Sequence, residues 1–328
     1  MGPIYVKKVN LIKMQDRKIP ILKPIYDDIF TEGTNQIDLL AGLSPNGLKG
    51  TLSMEDTKSK VLLVKPEDYQ SIFLSVSKAK TYKDCKAKYR FCYLEKLPRK
   101  EWDFHVFGKF LHEILERHFK KVISGVTDAP NIILSAAWKE AYAEWKPKLT
   151  QEQITEAKEI CNLFLKDWAA SKNPPKVVSV EKPFYIDIDG KVLLNGFIDR
   201  IQMDHDGVLH VSDYKTTKNK KYLKNDYFQL QTYAFVMCLE DPTLKKVRTS
   251  YSLLRHGFES IIKEFERDEI MEIEKTFLDY AEKIAEEKLF RPNPTRLCGF
   301  CDYIDSCDAG QRLMGRDYVS KKFGDDKW

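Results

Sequence analysis

Two Asp-Gly pairs constrain this chain more than any other feature. Asp189-Gly190 and Asp206-Gly207 each interrupt runs in which apolar and polar residues alternate. Alternation at period two marks a strand with one buried face, and Asp-Gly supplies the backbone angles that a tight hairpin turn demands. Residues 177–188, 192–203 and 208–213 therefore read as three consecutive antiparallel strands. The flanking segments follow another rhythm. Apolar residues recur at three and four over 78–96, 104–123, 131–145 and 151–170 before the strands, and over 225–239 and 268–288 after them. Two more strands fit 246–255 and 258–266, around His256-Gly257. Pro98, Pro147, Asn173-Pro174-Pro175 and Arg291-Pro292-Asn293-Pro294 punctuate the runs. Helices, antiparallel strands, helix, strands and helix in that order predict a mixed sheet with helices packed against it.

The densest chemistry lies on the second and third strands. Asp199 closes Gly196-Phe-Ile-Asp-Arg200, and Asp213-Tyr-Lys215 ends the next strand. Residues i and i+2 of a strand share a face, so Asp213 and Lys215 point together, and a hairpin can bring Asp199 alongside. Two carboxylates on one face repel unless a cation lies between them. Hard oxygen ligands suit Mg²⁺ or Mn²⁺, and a lysine beside them can hold a phosphate oxygen or activate a water. Metal-assisted phosphodiester hydrolysis uses those parts. A lone Asp-x-Lys is also a common strand-end ion pair, so the reading depends on its company. Gln229 and Tyr233 follow at i and i+4 on one helix face. Gly108-x-x-x-His112-Glu113 sits on an upstream helix. His105, His118, His205, His210 and His256 read as structural histidines.

Charge is unevenly spread. The net formal charge is +5, yet Lys78 to Lys100 holds nine basic residues against two acidic ones. Tyr82, Tyr89, Phe91 and Tyr93 are interleaved with those cations. Cations for phosphates and rings for bases fit a single-strand binder, with Lys80, Lys83, Lys86, Lys88, Tyr89 and Arg90 as contacts. An amphipathic helix with its rings in the core has the same pattern.

Composition removes other classes. Hydrophobic residues make up 43% and charged residues 31%, an ordinary globular balance. Apolar runs such as Val61-Leu62-Leu63-Val64 are far too short to cross a bilayer. Lys7 and Lys8 precede no apolar stretch of the kind that directs secretion. Seven cysteines, an odd number, then predict a reducing, cytoplasmic setting and metal or cluster ligation over disulfides. Three of them cluster as Cys298-x2-Cys301-x5-Cys307, and a fourth from upstream would complete a four-thiolate site. Cys85 and Cys92 are the candidates. Cys161 and Cys238 sit in apolar helical contexts and read as core thiols.

Taken together, these motifs resemble RecB-type nucleases of the PD-(D/E)XK superfamily. His112 in G-x-x-x-H-E, Asp199 in G-x-I-D-R, Asp213-Tyr-Lys215 and Gln229-Leu-x-x-Tyr233 match in order and rough spacing. Ser75-x-Ser77 with Tyr82-x-x-Cys85 resembles the start of the same domain, and Glu181 resembles an acidic residue before the first hairpin strand. The resemblance implies an α/β restriction-endonuclease-like core over 73–310, with an N-terminal addition over 1–72 and a tail over 311–328. It implies that His112, Asp199, Asp213 and the Tyr214 backbone carbonyl ligate Mg²⁺ or Mn²⁺. Lys215 would activate the attacking water, Gln229 would position Lys215 or the phosphate, and Tyr233 would support it.

The cysteine layout resembles the iron–sulfur subset of these enzymes, the AddB-type and CRISPR-adaptation nucleases. There one upstream and three C-terminal cysteines hold a [4Fe–4S] cluster. The upstream ligand precedes a basic aromatic stretch, which selects Cys85 beside Cys298, Cys301 and Cys307. The family often has proline after that cysteine, where this chain has Lys86, so Cys92 stays a second choice. Structural Zn²⁺ is the alternative occupant. Such a site would tie the start of the domain to its end.

The implied activity is metal-dependent hydrolysis of DNA, as a single-strand-preferring exonuclease in recombination, repair or replication. The alternatives are a nuclease trimming spacer precursors in CRISPR adaptation and a non-catalytic DNA-end-binding subunit. With no G-x-x-x-x-G-K-[ST] motif in the chain, a helicase would be a separate partner.

Overall fold

The computed structural model describes residues 71–100, 102–170, 174–223 and 226–315. Residues 1–70 of the expected N-terminal addition, and the expected tail beyond 315, lie outside the described residues. The described elements run β1 (Ile72–Leu74), α1 (Val76–Asp84), α2 (Lys86–Tyr89), a π-helical turn (Arg90–Leu94), α3 (Asp103–Ile123), α4 (Pro130–Trp145) and α5 (Gln151–Ala170). Then come β2 (Lys176–Ile188), β3 (Val192–Met203), β4 (Leu209–Lys215), α6 (Phe228–Glu240), β5 (Lys246–Leu253), β6 (Glu259–Glu266), α7 (Arg267–Met271), α8 (Ile273–Glu286) and α9 (Asp308–Met314). The architecture is α/β, with a mixed sheet flanked by helices.

The hairpin reading holds. Asp189 and Gly190 both have positive φ, at 57° and 68°, and Lys191 N–H closes the turn on the Ile188 carbonyl at 3.0 Å. That turn sets the register of β2 on β3, with Ile188 opposite Val192 and Val180 opposite Arg200. β4 runs antiparallel to β3, then parallel to β5 through α6, and β6 closes the sheet antiparallel to β5.

The β3–β4 ladder ends at Arg200 opposite Ser212, while β4 continues beside β5 to Lys215. Beyond Ser212 the β3–β4 ladder pairs stop, and the carboxyl end of β4 carries Asp213, Tyr214 and Lys215. Ligand sites of open α/β sheets favour such strand ends.

Helices cover both faces. On one side Phe107, Phe110, Leu111, Ile114 and Phe119 of α3 meet Phe164 of α5 and Tyr214 of β4. Their spacing of three and four is the stripe that buries a helix face. On the other side Leu230, Ala234 and Phe235 of α6 and Phe277 of α8 pack on Leu194, Ile198 and Tyr251. α6 is buried nearly all round from Leu230 to Cys238, and Gln229 is half-buried in its first turn.

Two helices differ from the periodic reading. The 78–96 run breaks at Cys85, which adopts extended backbone (φ −159°, ψ 109°) between α1 and α2. Asn293 stabilises the break, its side-chain amide donating to the Asp84 carbonyl at 3.0 Å. The 268–288 run divides at Glu272 into α7 and α8. Apolar periodicity continues through both breaks, so it does not register them.

Candidate active site

Two helices, the middle of β3 and the end of β4 meet around the Tyr214 peptide. Asp199 of β3 accepts the Tyr214 N–H on Oδ2 at 2.7 Å, bridging the two strands. His112 of α3 donates from Nε2 to the Tyr214 carbonyl at 3.1 Å, and its Nδ1 lies 3.5 Å from Asp199 Oδ2. Gly108, one turn earlier on α3, allows this approach: a Cβ there would stand 3.3 Å from Thr216 Oγ1.

From the other side α6 holds Asp213 and Lys215. Gln229 donates from Nε2 to Asp213 Oδ1 at 2.6 Å and to the Tyr233 hydroxyl at 2.8 Å, while its Oε1 accepts from Lys215 Nζ at 3.0 Å. Lys215 Nζ also pairs with Asp213 Oδ2 at 2.6 Å. Burial works against the Lys215 ammonium, but Asp213 and Asp199 outweigh it, and the pKa is raised. Lys215 is a firmly held cation.

The end of β4 is itself clamped. Arg255 bonds the Thr216 carbonyl and, through Nε and Nη2, both oxygens of Glu156 on α5 at 2.6 and 3.0 Å. Catalytic geometry needs that kind of rigid support.

A third carboxylate belongs to the site. Val180 faces Arg200 and Lys182 faces Ile198, so Glu181 lies opposite Asp199. Its φ is +46°, a left-handed conformation costly for glutamate. One ligand atom each of His112, Glu181 and Asp199 lie within 4.8 Å of one another. Burial and the neighbouring Asp199 push the Glu181 carboxyl up to about 8. Burial and Asp213, partly offset by His112, push Asp199 up to about 6.

A divalent cation fits this group. Among the described residues Glu181 and Asp199 converge beside His112, and Asp213 bears on the charge of both. A cation would relieve the carboxylate crowding that raises both pKa values. Of the four expected ligands, the compact group contains His112 and Asp199, with Glu181 as the third member. Asp213 is paired with Lys215, and the Tyr214 carbonyl is engaged by His112. The placement of Glu181 beside Asp199 was legible: counting back from the Asp189-Gly190 turn puts 181 opposite 199.

The cysteines occupy a second place. Cys85, Cys298, Cys301 and Cys307 line one small cavity, together with Lys88, Phe91 and the Pro292-Asn293-Pro294 bridge. A backbone N–H is directed at each sulfur: Asn293 to Cys85 at 3.5 Å, Thr295 to Cys298 at 3.3 Å, Gly310 to Cys307 at 3.5 Å, and Tyr303 to Cys301. Gly310 packs closely there: a Cβ would come within 2.9 Å of the Ile304 side-chain tip and 3.6 Å of Cys307 Sγ. Cys92 instead contacts the Arg99 guanidinium, and Arg99 donates to the Tyr303 hydroxyl. The break at Cys85 is what separates the two cysteines. Cys161 and Cys238 are buried, and burial pushes Cys161 up to about 12.

The basic stretch needs correction. Tyr89 is 3% exposed and stacks on Phe290 at 6.2 Å, so its ring offers no face to a base. Lys80 pairs with Asp226, Lys86 with Glu287 and Arg90 with Glu95. Helix packing spends the rings on the core, while Lys83 stays exposed and Lys88 half-buried.

The sequence profile of the PD-(D/E)XK nuclease superfamily matches residues 73–308. Curated relatives agree in part. A stretch of 205 residues is 28% identical to one subunit of the ATP-dependent helicase/deoxyribonuclease of Streptococcus uberis, covering 56% of this chain and 18% of that protein. The protein of the same name from Streptococcus pyogenes serotype M6 is 30% identical over 125 residues, 36% of this chain and 11% of its own. The chain thus spans less than a fifth of these relatives' length. A solved structure from Eubacterium rectale, provisionally named an exonuclease, aligns over 80% of this chain and 93% of its own at 12% identity with a TM-score of 0.45. Among the described residues no helix is long and apolar enough to cross a membrane.

Proposed function

This chain belongs to the PD-(D/E)XK nuclease superfamily, and from that premise we propose that it hydrolyses DNA phosphodiester bonds with Mg²⁺ or Mn²⁺, acting on single strands from an end. One observation carries the reading. One ligand atom each of His112, Glu181 and Asp199 lie within 4.8 Å of one another, beside the Tyr214 peptide and a lysine held by Asp213.

His112, Glu181 and Asp199 would hold the cation, with Asp213 and the Tyr214 carbonyl as further oxygen donors. Such an ion neutralises phosphate charge and strengthens a water as nucleophile at neutral pH. Lys215, kept charged by Asp213, orients that water and steadies the charge growing on the phosphate. Gln229 fixes the lysine and Asp213 together, and Tyr233 fixes Gln229. Lys83 and Lys88 are left to meet the phosphate backbone.

The same reading assigns a [4Fe–4S] cluster to Cys85, Cys298, Cys301 and Cys307. Four thiols on one cavity, each met by a backbone N–H, favour thiolates bound to metal. The bound group would crosslink α1 to the C-terminal segment. Iron and sulfide analysis of anaerobically purified protein distinguishes it from Zn²⁺, and Cys85→Ala should lose the metal where Cys92→Ala keeps it. The names of the relatives favour a helicase as the partner that supplies the single strand.

End-labelled single-stranded DNA with Mg²⁺, Mn²⁺ or EDTA tests the activity. Metal-dependent cleavage that disappears in Asp213→Ala and Lys215→Ala is expected. Absence of cleavage by folded, metal-loaded protein refutes a stand-alone nuclease.

A further inference from the structure

We propose that Phe104 and Phe300 form a stacking platform for the bases of a single strand, placed to lead that strand along α3 to His112. The proposal deepens the nuclease reading and rests on it. Phe104 is 46% exposed and Phe300 43% exposed, although they come from segments nearly two hundred residues apart. One buried indole holds them together. Trp102, 7% exposed, lies 5.9 Å from Phe104 at 21° and 6.2 Å from Phe300 at 52°. Its N–H is anchored on the Asp302 carboxylate at 2.8 Å. A single exposed ring needs no explanation. Two exposed rings clamped by a buried third form a built surface.

The surroundings select the occupant. Lys100 Nζ lies 5.0 Å from the Trp102 ring centre. His105 packs edge-on against Phe104 at 4.4 Å, and Lys88, Arg99 and Lys109 are close enough to bear on its charge. Among the described residues, the acidic groups in the same neighbourhood are Asp302, already bonded to Trp102, with Asp103 and Asp305. Rings ringed by cations fit a polyanion with unstacked bases, a single nucleic-acid strand. A duplex keeps its bases stacked, and an apolar protein surface would leave those cations desolvated.

Placement on α3 supplies the direction. Phe104 precedes His112 by eight residues, about 12 Å of helix. A few nucleotides of an unstacked strand span that distance. His105, Lys109 and His112 follow at i, i+4 and i+7, so the exposed face of the helix runs from the platform to the site.

Anisotropy of fluorescein-labelled dT15 in EDTA, where cleavage is stopped, tests this. Phe104→Ala and Phe300→Ala should each weaken binding about tenfold, within the roughly 5- to 150-fold range for losing one stacked base. Phe104→Trp should restore it. The dependence of affinity on salt should keep its slope, because the rings release no counterions. An abasic strand of equal length should bind wild type and variants alike, and unchanged melting temperatures show that the variants fold. Wild-type affinity for dT15 in both alanine variants overturns the platform, and is the result expected if the patch serves a protein partner. Equal loss of dT15 and abasic binding overturns it too. If those results accompany dT15 cleavage that is lost in Asp213→Ala, the nuclease reading survives alone. Wild-type protein that neither binds nor cleaves dT15 removes both.

Discussion

Asp199 and Asp204 lie five residues apart in the chain, and their carboxylates meet opposite surroundings. Burial would raise Asp204, yet Arg248 Nη1 at 2.8 Å, Gln202 at 2.7 Å and His210 at 3.0 Å hold its carboxyl below the usual range. Arg248 also joins Asp206 and Glu264. Asp199 has one backbone N–H and a histidine, faces Glu181 and Asp213, and is pushed up to about 6. Where the chain supplies its own cation, a shielded carboxylate serves structure. Where it supplies more carboxylates instead, the cluster suits a cation from outside. The Asp204 side carries a second lesson. Asp204, His210 and Ser250 form a chain resembling a nucleophilic triad, with His210 Nε2 2.8 Å from Ser250 Oγ. Ser250 is 1% exposed, and burial lowers the His210 pKa. No substrate reaches a serine so enclosed, so residue type alone does not make a site.

The comparison can be broken most directly at the Tyr214 side. Asp213→Ala and Asp199→Ala should each lower kcat by at least about 10³-fold, by analogy with the loss of one essential transition-state contact, measured on labelled single-stranded DNA. Gln229→Ala should cost about 10- to 100-fold, the usual effect of an outer-shell partner. Loss smaller than threefold would show that Lys215 needs no positioning.

Titration sharpens the contrast. Glu181 and Asp199 bind protons more tightly in the folded chain than in the unfolded one. Their contribution to stability is therefore complete below about pH 4 and is lost as pH rises through about 6 for Asp199 and about 8 for Glu181. Metal-free protein should melt lower at pH 8.5 than at pH 5. Saturating Mg²⁺ should remove most of that fall, and Glu181→Gln should flatten its upper half. A melting temperature that rises over this range would contradict the reading. The smallest effect belongs to the Asp204 side. Arg248→Ala should cost about 1–3 kcal/mol of stability by leaving Asp204 poorly paired, read in urea unfolding, with cleavage rates within twofold of wild type.

The sequence by itself determined the strands and the chemistry they carry. Period-two alternation and Asp-Gly turns are local signals, and they set β2, β3 and β4, with Asp199 within β3 and Asp213 and Lys215 at the end of β4. Counting from the Asp189-Gly190 turn even places Glu181 opposite Asp199, because hairpin register is a local property. Tertiary structure decided what depends on long-range packing. It broke a periodic helix at Cys85, since Asn293 arrives from more than two hundred residues away to cap Asp84. It buried Tyr89 against Phe290, engaged three of the basic side chains with carboxylates, and paired Phe104 with Phe300 on Trp102. It also gave Asp204 an arginine and left Asp199 without one. Amphipathic spacing specifies that a face is buried; which distant group meets it is fixed only when the chain closes on itself.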